Sequence, residues 1–525
     1  MRDDDGRQYM AVKGQDTIID SRFLQTCDIP EELFSIEPFI IVIFGGSGDL
    51  VKRKLLPSLY HLFKENELAS EFSILAFDRL SLSIQEYHAA IKEAVKIFED
   101  DFDEARWGDF VGHLSYMSGL FEDDENYERL DEQVKRLVAP ASGGMKNLIY
   151  YMAVPPQVAP LLIEKLKTHR LCKNPFSTRI VMEKPFGRDH DSAAKLNRTL
   201  IDAFDESQIY RIDHYLARDP VQNIIFFHFS NSFFEEIWNR HFVDNVQITV
   251  AEEIGIEHRG IFYEHAGVVR DIVQNHIMQI LGLIAMEPPI GFNADFIRDE
   301  KLKVLRSIRP MDAAYIDKFL VRGQYGPGKV RNVQVAGYRA ERDVSPDSTQ
   351  ATFFGGKFYI DNLRWAGVPF YLRTGKRMPA QVTEICIELK RLPLRLFGRT
   401  CDVLPSNIIR LTIQPDENIS LCFGVKYPYS NNQIYPVSMI FSYKQTFKVH
   451  LPQPYERLLI DILKGDLTLF VREDEIEAMW SVVDPIIRKW EENKPADFPN
   501  YEAGTWGPAC ARQLIEQDGR IWITA

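Results

Sequence analysis

Arg211–Asn223, reading RIDHYLARDPVQN, packs carboxylates, an imidazole, a phenol and guanidinium groups into a few positions. An aspartate hydrogen-bonded to an imidazole fixes the ring's tautomer and stabilises its protonated form, so the other ring nitrogen can act as a base. A second histidine, His276, lies in GVVRDIVQNHIMQIL, a mostly apolar stretch at helical spacing. Alone, a histidine in such a stretch is more often a satisfied core residue than a catalyst. With Asp213 to orient it, His276 becomes a candidate general base, and His214, Tyr215 and Arg218 are left to hold an anion. No metal is expected, because no His, Cys or carboxylate cluster has ligand spacing along the chain.

Two other stretches carry binding chemistry. Phe39–Phe44 is an unbroken apolar run followed at once by Gly45, Gly46, Ser47 and Gly48, with an amphipathic helix next. Glycines between a buried strand and a helix let the backbone approach a pyrophosphate, and the helix N-terminus offers free N–H groups. Val51 stands at the third glycine position of the dinucleotide fingerprint. Lys52, Arg53 and Lys54 would complement phosphates, although a solvated surface role fits at least one of them. Asp78 and Arg79 end the second strand, where an acid favours a free ribose 2′-hydroxyl and an arginine favours a 2′-phosphate. Consecutive strand residues face opposite ways. An Arg79 turned to the ribose therefore predicts an Asp78 turned away and screened by solvent, with NADP preferred and some NAD use tolerated. MEKPFG (182–187) closes the fifth strand with Lys184 at its carboxyl end, where ligands bind in open α/β sheets. Pro185 is a candidate cis residue there, and a surface pair of Glu183 with Lys184 is the plainer alternative.

These groups need elements to carry them. Apolar runs at Phe39–Phe44, Phe72–Phe77, Leu114–Met117, Asn147–Val154, Arg179–Glu183 and Gln208–Ile212 alternate with helical patterns at Ile84–Phe98, Tyr127–Leu137, Pro156–His169 and Asp191–Phe204. Such alternation predicts a Rossmann-type, doubly wound α/β domain over residues 38–212, after an N-terminal arm of residues 1–37. Pro57 predicts a kink or a late start in the first helix. Residues 213–525 read as a β+α domain. It has helices at Val268–Ala285 and Phe296–Ser307, then strands at Thr352–Ile360, Pro369–Arg373, Val382–Leu389, Ile408–Gln414, Ser420–Val425 and Met439–Lys448, and helices again at Tyr455–Leu463 and Asp474–Trp490. Short turn signals between the strands predict a large antiparallel sheet, through which two subunits could pair.

A chain of 525 residues is too long for one ordinary core. Its composition, 45% hydrophobic and 26% charged with a net charge of −13, is that of a soluble globular protein and argues against a nucleic-acid or membrane surface. An anionic ligand must then meet a local cluster of cations. Cysteines 27, 172, 386, 401, 422 and 510 are scattered without a CxxC pair, as expected for buried thiols in a reducing compartment. MRDDDGRQYM lacks a signal-peptide pattern, and no apolar run reaches the ~18 residues of a membrane span. A cytoplasmic location is expected.

GGSGDLVKRK, EKPFG, RIDHYLARDPVQN, RDIVQNH and VPFYLRTGKR, in this order and at these separations, resemble the glucose-6-phosphate dehydrogenase family. The similarity runs from about Ile40 to Trp522 and includes PYERLLIDILKGD and GTWGP. The resemblance implies NADP-linked oxidation of β-D-glucose 6-phosphate at C1 to 6-phospho-D-glucono-1,5-lactone, the first step of the oxidative pentose phosphate pathway. It implies His276 as general base and Asp213 as its partner. It makes His214, Tyr215 and Arg218 phosphate ligands, and sets Lys184, Glu252, Asp271 and Lys376 around the sugar and nicotinamide. Gly45, Gly46, Ser47, Gly48, Asp49, Leu50, Lys54, Arg79 and Lys184 fall to the coenzyme site, with NAD a weaker alternative to NADP. A homodimer or homotetramer is also implied. Two positions depart from the family pattern: Arg218 stands for a usual lysine, and Asp78 for a usual small residue. A dehydrogenase of another hexose phosphate and a catalytically silent NADP-sensing subunit are the competing readings.

Overall fold

The computed structural model describes residues 36–524 apart from 100, 139–146, 173–176, 394–403, 430–432 and 448–451. All but the end of the N-terminal arm, together with Cys27 and Cys401, lies outside the described residues. Strands β1 Phe39–Phe44, β2 Phe72–Asp78, β3 Leu114–Ser118, β4 Asn147–Met152, β5 Ser177–Met182 and β6 Ile209–Arg211 form one sheet, in the order β3-β2-β1-β4-β5-β6. Every pair in it is parallel. This is the doubly wound arrangement that the strand–helix alternation predicts. All six residues of β1 are buried, as a central strand covered on both faces requires. The first helix is distorted where Pro57 interrupts it: residues 49–64 are continuously helical, with Val51–Leu55 a π-helical segment whose i→i−5 bond from the Leu56 amide to the Val51 carbonyl leads into Leu56–Lys64.

A second sheet follows, built from β7 Val243–Ala251, β8 Leu320–Gly323, β9 Phe353–Tyr359, β10 Pro369–Gly375, β11 Val382–Leu389, β12 Ile408–Gln414, β13 Asn418–Lys426 and β14 Ile434–Ser442. Its order is β14-β13-β12-β11-β7-β10-β9-β8. The sheet is mixed and mostly antiparallel, because β7 and β10 pair parallel. The run expected at Met439–Lys448 is displaced: β14 ends at Ser442, and Tyr443–Phe447 is helical. The central strand β7 is not evident in the sequence because Asn245 and Gln247 interrupt its apolar pattern. Both are buried but satisfied, Gln247 Nε2 donating to Asn245 Oδ1 at 3.1 Å and to the Ile521 carbonyl at 3.0 Å, and Asn245 Nδ2 to Glu388 Oε2 at 2.9 Å.

The long apolar helix expected at Val268–Ala285 is two segments, a π-helix Val269–Ile277 and an α-helix Met278–Ala285 whose residues are all buried. It packs between the second sheet and the long helix Glu473–Glu492. One hydrophobic cluster runs continuously through both sheets, so they are held as one body by burial and not by a linker.

Candidate active site

Strand register explains how the site assembles. In the first sheet Met182 of β5 pairs with Arg211 of β6, so Lys184 and Asp213 each stand two residues beyond a paired position, at the carboxyl edge. In the second sheet Ala251 pairs with Gly375 across the parallel β7–β10 ladder, and the next residues are Glu252 and Lys376. Those two side chains form an ion pair, with the Glu252 amide held on the Gly375 carbonyl at 3.0 Å. Lys376 also lies 3.4 Å from Asp271 Oδ2. The π-helix carries Asp271 and His276 into the gap between the two edges.

There the expected pair forms. His276 Nδ1 and Asp213 Oδ1 are 2.5 Å apart and almost wholly buried. Asp213 Oδ1 also accepts from the Tyr215 amide at 3.0 Å, and the His276 amide donates to Asn275 Oδ1 at 2.6 Å. The Lys184 ammonium donates to His276 Nε2 at 2.9 Å and to the Asp271 carbonyl at 3.2 Å. Since Nε2 accepts from an ammonium, the neutral ring carries its proton on Nδ1 and donates it to Asp213. Lys184 precedes Pro185 across a cis peptide bond, and its ammonium turns to His276 and Asp271 and not to Glu183. Glu183 Oε1 instead accepts from the Tyr151 and Tyr455 hydroxyls at 2.6 and 3.2 Å, so the plainer surface-pair reading is excluded.

The electrostatics agree with that assignment. Burial pushes the His276 imidazole down, Asp213 pulls it back up, and Lys184 adds to the downward push; the net shift is down. Burial would raise the Asp213 carboxyl, but its interaction with His276, which donates the Nδ1 proton to it, outweighs burial and, with Lys184, holds the group below the usual carboxylate range. Asp271 is likewise held low against its burial by Lys184 and Lys376. Burial and the charges of His276 and Lys184 keep His214 well below the usual histidine range, so it would meet an anion as a neutral N–H donor.

The rings are layered: Tyr215 stacks on His276 at 4.0 Å, His214 meets the His276 ring edge-on at 4.8 Å, and the Arg218 guanidinium stands 5.3 Å from the Tyr215 centroid. Sequence spacing hides one consequence, since the fold does gather ligand atoms of Asp213, His214 and His276 within 4.8 Å of one another. The absence of ligand spacing along the chain thus does not extend to space. With Nδ1 on Asp213 and Nε2 on an ammonium, both nitrogens of His276 are already engaged. Asn275 is a site residue that sequence reasoning missed, although it adjoins His276 in the same motif.

The glycine turn is equally defined. Gly45 has φ +80°, and a Cβ there would lie 2.3 Å from the Ala153 carbonyl oxygen; at Gly46 it would lie 2.5 Å from Ala76 Cβ. The Gly45 amide is tied to the Phe77 carbonyl at 2.9 Å. Asp78 overturns the expectation of a solvent-screened side chain: it is buried and points at the turn. Its Oδ2 accepts from the Ser47 amide at 2.8 Å and hydroxyl at 2.6 Å, and its Oδ1 from the Arg79 amide at 2.7 Å. The reason is local: the turn's own N–H groups face the end of β2. The Arg79 side chain is exposed, as are Asp49 and Lys54, while Leu50 is half-buried. Arg53 pairs with Asp49 at 3.6 Å, the solvated role foreseen for one of the three cations.

Residues 42–223 match the family described as "Glucose-6-phosphate dehydrogenase, NAD binding domain", and residues 225–523 match "Glucose-6-phosphate dehydrogenase, C-terminal domain". The chain belongs to the glucose-6-phosphate dehydrogenase family. Among related glucose-6-phosphate 1-dehydrogenases, that of Chlamydia pneumoniae is 43% identical over 495 residues, spanning 92% of this chain and 96% of its own. That of Bacillus subtilis is 39% identical over 483 residues, spanning 92% and 98%. A solved glucose-6-phosphate dehydrogenase in complex with its substrate glucose 6-phosphate superposes with a TM-score of 0.84 at 32% identity, over 93% of this chain and 99% of that one. The Mycobacterium avium glucose-6-phosphate 1-dehydrogenase gives 0.79 at 35% identity, over 92% and 98%. Among the described residues no helix is long and apolar enough to cross a membrane.

Proposed function

We propose that the chain oxidises β-D-glucose 6-phosphate at C1 to 6-phospho-D-glucono-1,5-lactone, with hydride passing to NADP+, as the entry step of the oxidative pentose phosphate pathway. The observation that carries this reading is the ordered relay Asp213–His276–Lys184 at the seam of the two sheets. The C1 hydroxyl replaces the Lys184 ammonium at Nε2 and gives its proton to His276 as hydride leaves C1. Asp213 stabilises the imidazolium that forms. The bound nicotinamide supplies the hydride acceptor. Loss of one proton and one hydride converts the C1–OH carbon into the lactone carbonyl.

The other roles follow from charge. His214 and Tyr215 offer neutral donors to the 6-phosphate, and Arg218 offers a cation able to bind it bidentately. Lys184, Glu252, Asp271 and Lys376 surround the sugar and nicotinamide. The turn Gly45–Gly48 with Asp49, Leu50, Lys54 and Arg79 holds the dinucleotide, a reading supported by the tight strand-to-helix turn that Gly45 makes at φ +80°. NADP preference is favoured because the Asp78 oxygens already accept from Ser47 and Arg79, while the Arg79 side chain is free to meet a 2′-phosphate. Residues 38–212 would then form the coenzyme unit and 213–525 the substrate and pairing unit. The exposed Tyr435, Met439 and Ile440 on β14 support a homodimer or homotetramer joined through the second sheet. The reading includes a cytoplasmic location.

Initial rates of reduced-coenzyme formation test it, with glucose, galactose and mannose 6-phosphates against NADP+ and NAD+. Glucose 6-phosphate with NADP+ should give the highest kcat/KM. Preference for another hexose phosphate, or no turnover with any, would overturn it.

A further inference from the structure

Beneath Lys376 lies a small satellite core that includes four tyrosines: Tyr263, Tyr325, Tyr338 and Tyr501. Three of their hydroxyls are engaged. Tyr325 donates to Glu341 Oε1 at 3.0 Å, Tyr338 to Glu264 Oε1 at 2.6 Å, and Tyr501 to the Lys376 carbonyl at 2.8 Å. The Tyr263 hydroxyl is the exception: its side chain is fully buried, and the oxygen has no hydrogen-bond partner among the described residues.

A buried hydroxyl left unpaired destabilises a fold, and phenylalanine would fill the same volume without that penalty. The location of the exception matters. Lys376 Nζ stands 5.6 Å from the Tyr263 ring centroid. The charged groups that act most strongly on the Tyr263 hydroxyl are Asp271 and then Glu252, the two carboxylates that bracket Lys376. Of these four tyrosines, the one with a spare hydroxyl is thus the one beside the ion cluster assigned to the sugar, while its three neighbours spend theirs on the scaffold.

We infer that Tyr263 is a substrate ligand, its hydroxyl held in reserve for a ring hydroxyl of the hexose phosphate. The inference rests on the proposed sugar-phosphate reading and deepens it. A site that keeps a polar group for one substrate hydroxyl discriminates against analogues lacking it, because the group then stays unpaired in the complex as well. Lys376, Glu252 and Asp271 already satisfy one another, so Tyr263 adds a specificity that those three do not need to supply.

The test is Tyr263→Phe in the full chain, measured for kcat/KM with glucose 6-phosphate and with its 2-, 3- and 4-deoxy analogues, together with the thermal midpoint of the free protein. The free variant should melt a few degrees higher, because an unpaired polar group has gone. Its kcat/KM for glucose 6-phosphate should fall about 10-fold, the worth of one hydrogen bond. For one deoxy analogue, wild type and variant should agree, which identifies the hydroxyl that Tyr263 meets. Unchanged kcat/KM for glucose 6-phosphate, or an equal loss on every analogue, would overturn the inference. If the wild type oxidises glucose 6-phosphate poorly but another hexose phosphate well, the parent reading falls instead.

Discussion

The dinucleotide turn and the proton relay sit at neighbouring strand ends, yet they are assembled on different length scales. Ser47 and Asp78 close the turn across 31 residues, inside one strand–helix–strand unit. The relay joins Asp213 to His276 across 63 residues and Lys184 to His276 across 92, and its flank joins Glu252 to Lys376 across 124. Local hydrogen bonds hold the first. The second exists only while the two sheets share one core. Damage to one region should therefore leave the other working, and that independence can be measured.

The largest effect is expected from His276→Asn. Loss of the base should cut kcat by ~10²–10⁴, while coenzyme binding, followed by fluorescence titration, stays close to wild type. A variant that kept most of its turnover would remove His276 from the mechanism. Arg79→Ala is the mirror experiment. It should weaken NADP binding by ~1.5–3 kcal/mol, the range for a hydrogen bond to a charged group, leaving NAD binding and kcat at saturation nearly unchanged. Equal weakening of both coenzymes would show that Arg79 does not read the 2′-phosphate.

The smallest change is a displaced pH profile. His276 must be neutral to accept a proton, so kcat/KM falls as pH drops through its pKa in the free enzyme. That pKa is held down by burial and by Lys184, against the upward pull of Asp213. Lys184→Gln removes a nearby positive charge, so protonation becomes easier and the acidic limb should move to higher pH. The amplitude of kcat/KM will also drop, but the midpoint reports the imidazole alone. A midpoint that stays in place or moves to lower pH would mean that the ammonium does not set the base.

The difference in length scale also explains what the sequence makes legible. β1, the glycine turn and Ile84–Phe98 are readable because each is specified by adjacent residues: an apolar run, a glycine cluster, and a Ser83–Glu86 capping box. His276, Asp213 and Lys184 could be nominated from type and motif, but not their mutual distances. β7 escaped because the buried Asn245 and Gln247 break its pattern, and their partners lie far away at Glu388 and Ile521. Asp78 was misjudged for a related reason. Alternation along a strand describes its interior, whereas Asp78 is its last residue and answers to the turn next door. Tyr263 gave no signal, since a tyrosine with a spare hydroxyl reads like any other core aromatic until its neighbours' partners are known.

The π-helical segment Val269–Ile277 makes residue count a chemical variable. Asp271 and His276 are five apart, which on an α-helix of 3.6 residues per turn would set them about 140° from each other. Only one could then face a given point. Hydrogen bonding from i to i+5 widens the turn and brings residues five apart much nearer to one face, and so a single ammonium, that of Lys184, touches both. Removing one buried residue between them, such as Val273, would leave every acid and base in the chain and let the segment tighten to an ordinary helix. The carboxylate and the imidazole would then point to different partners. In this enzyme family member the alignment of base and acid is kept by one extra peptide per turn.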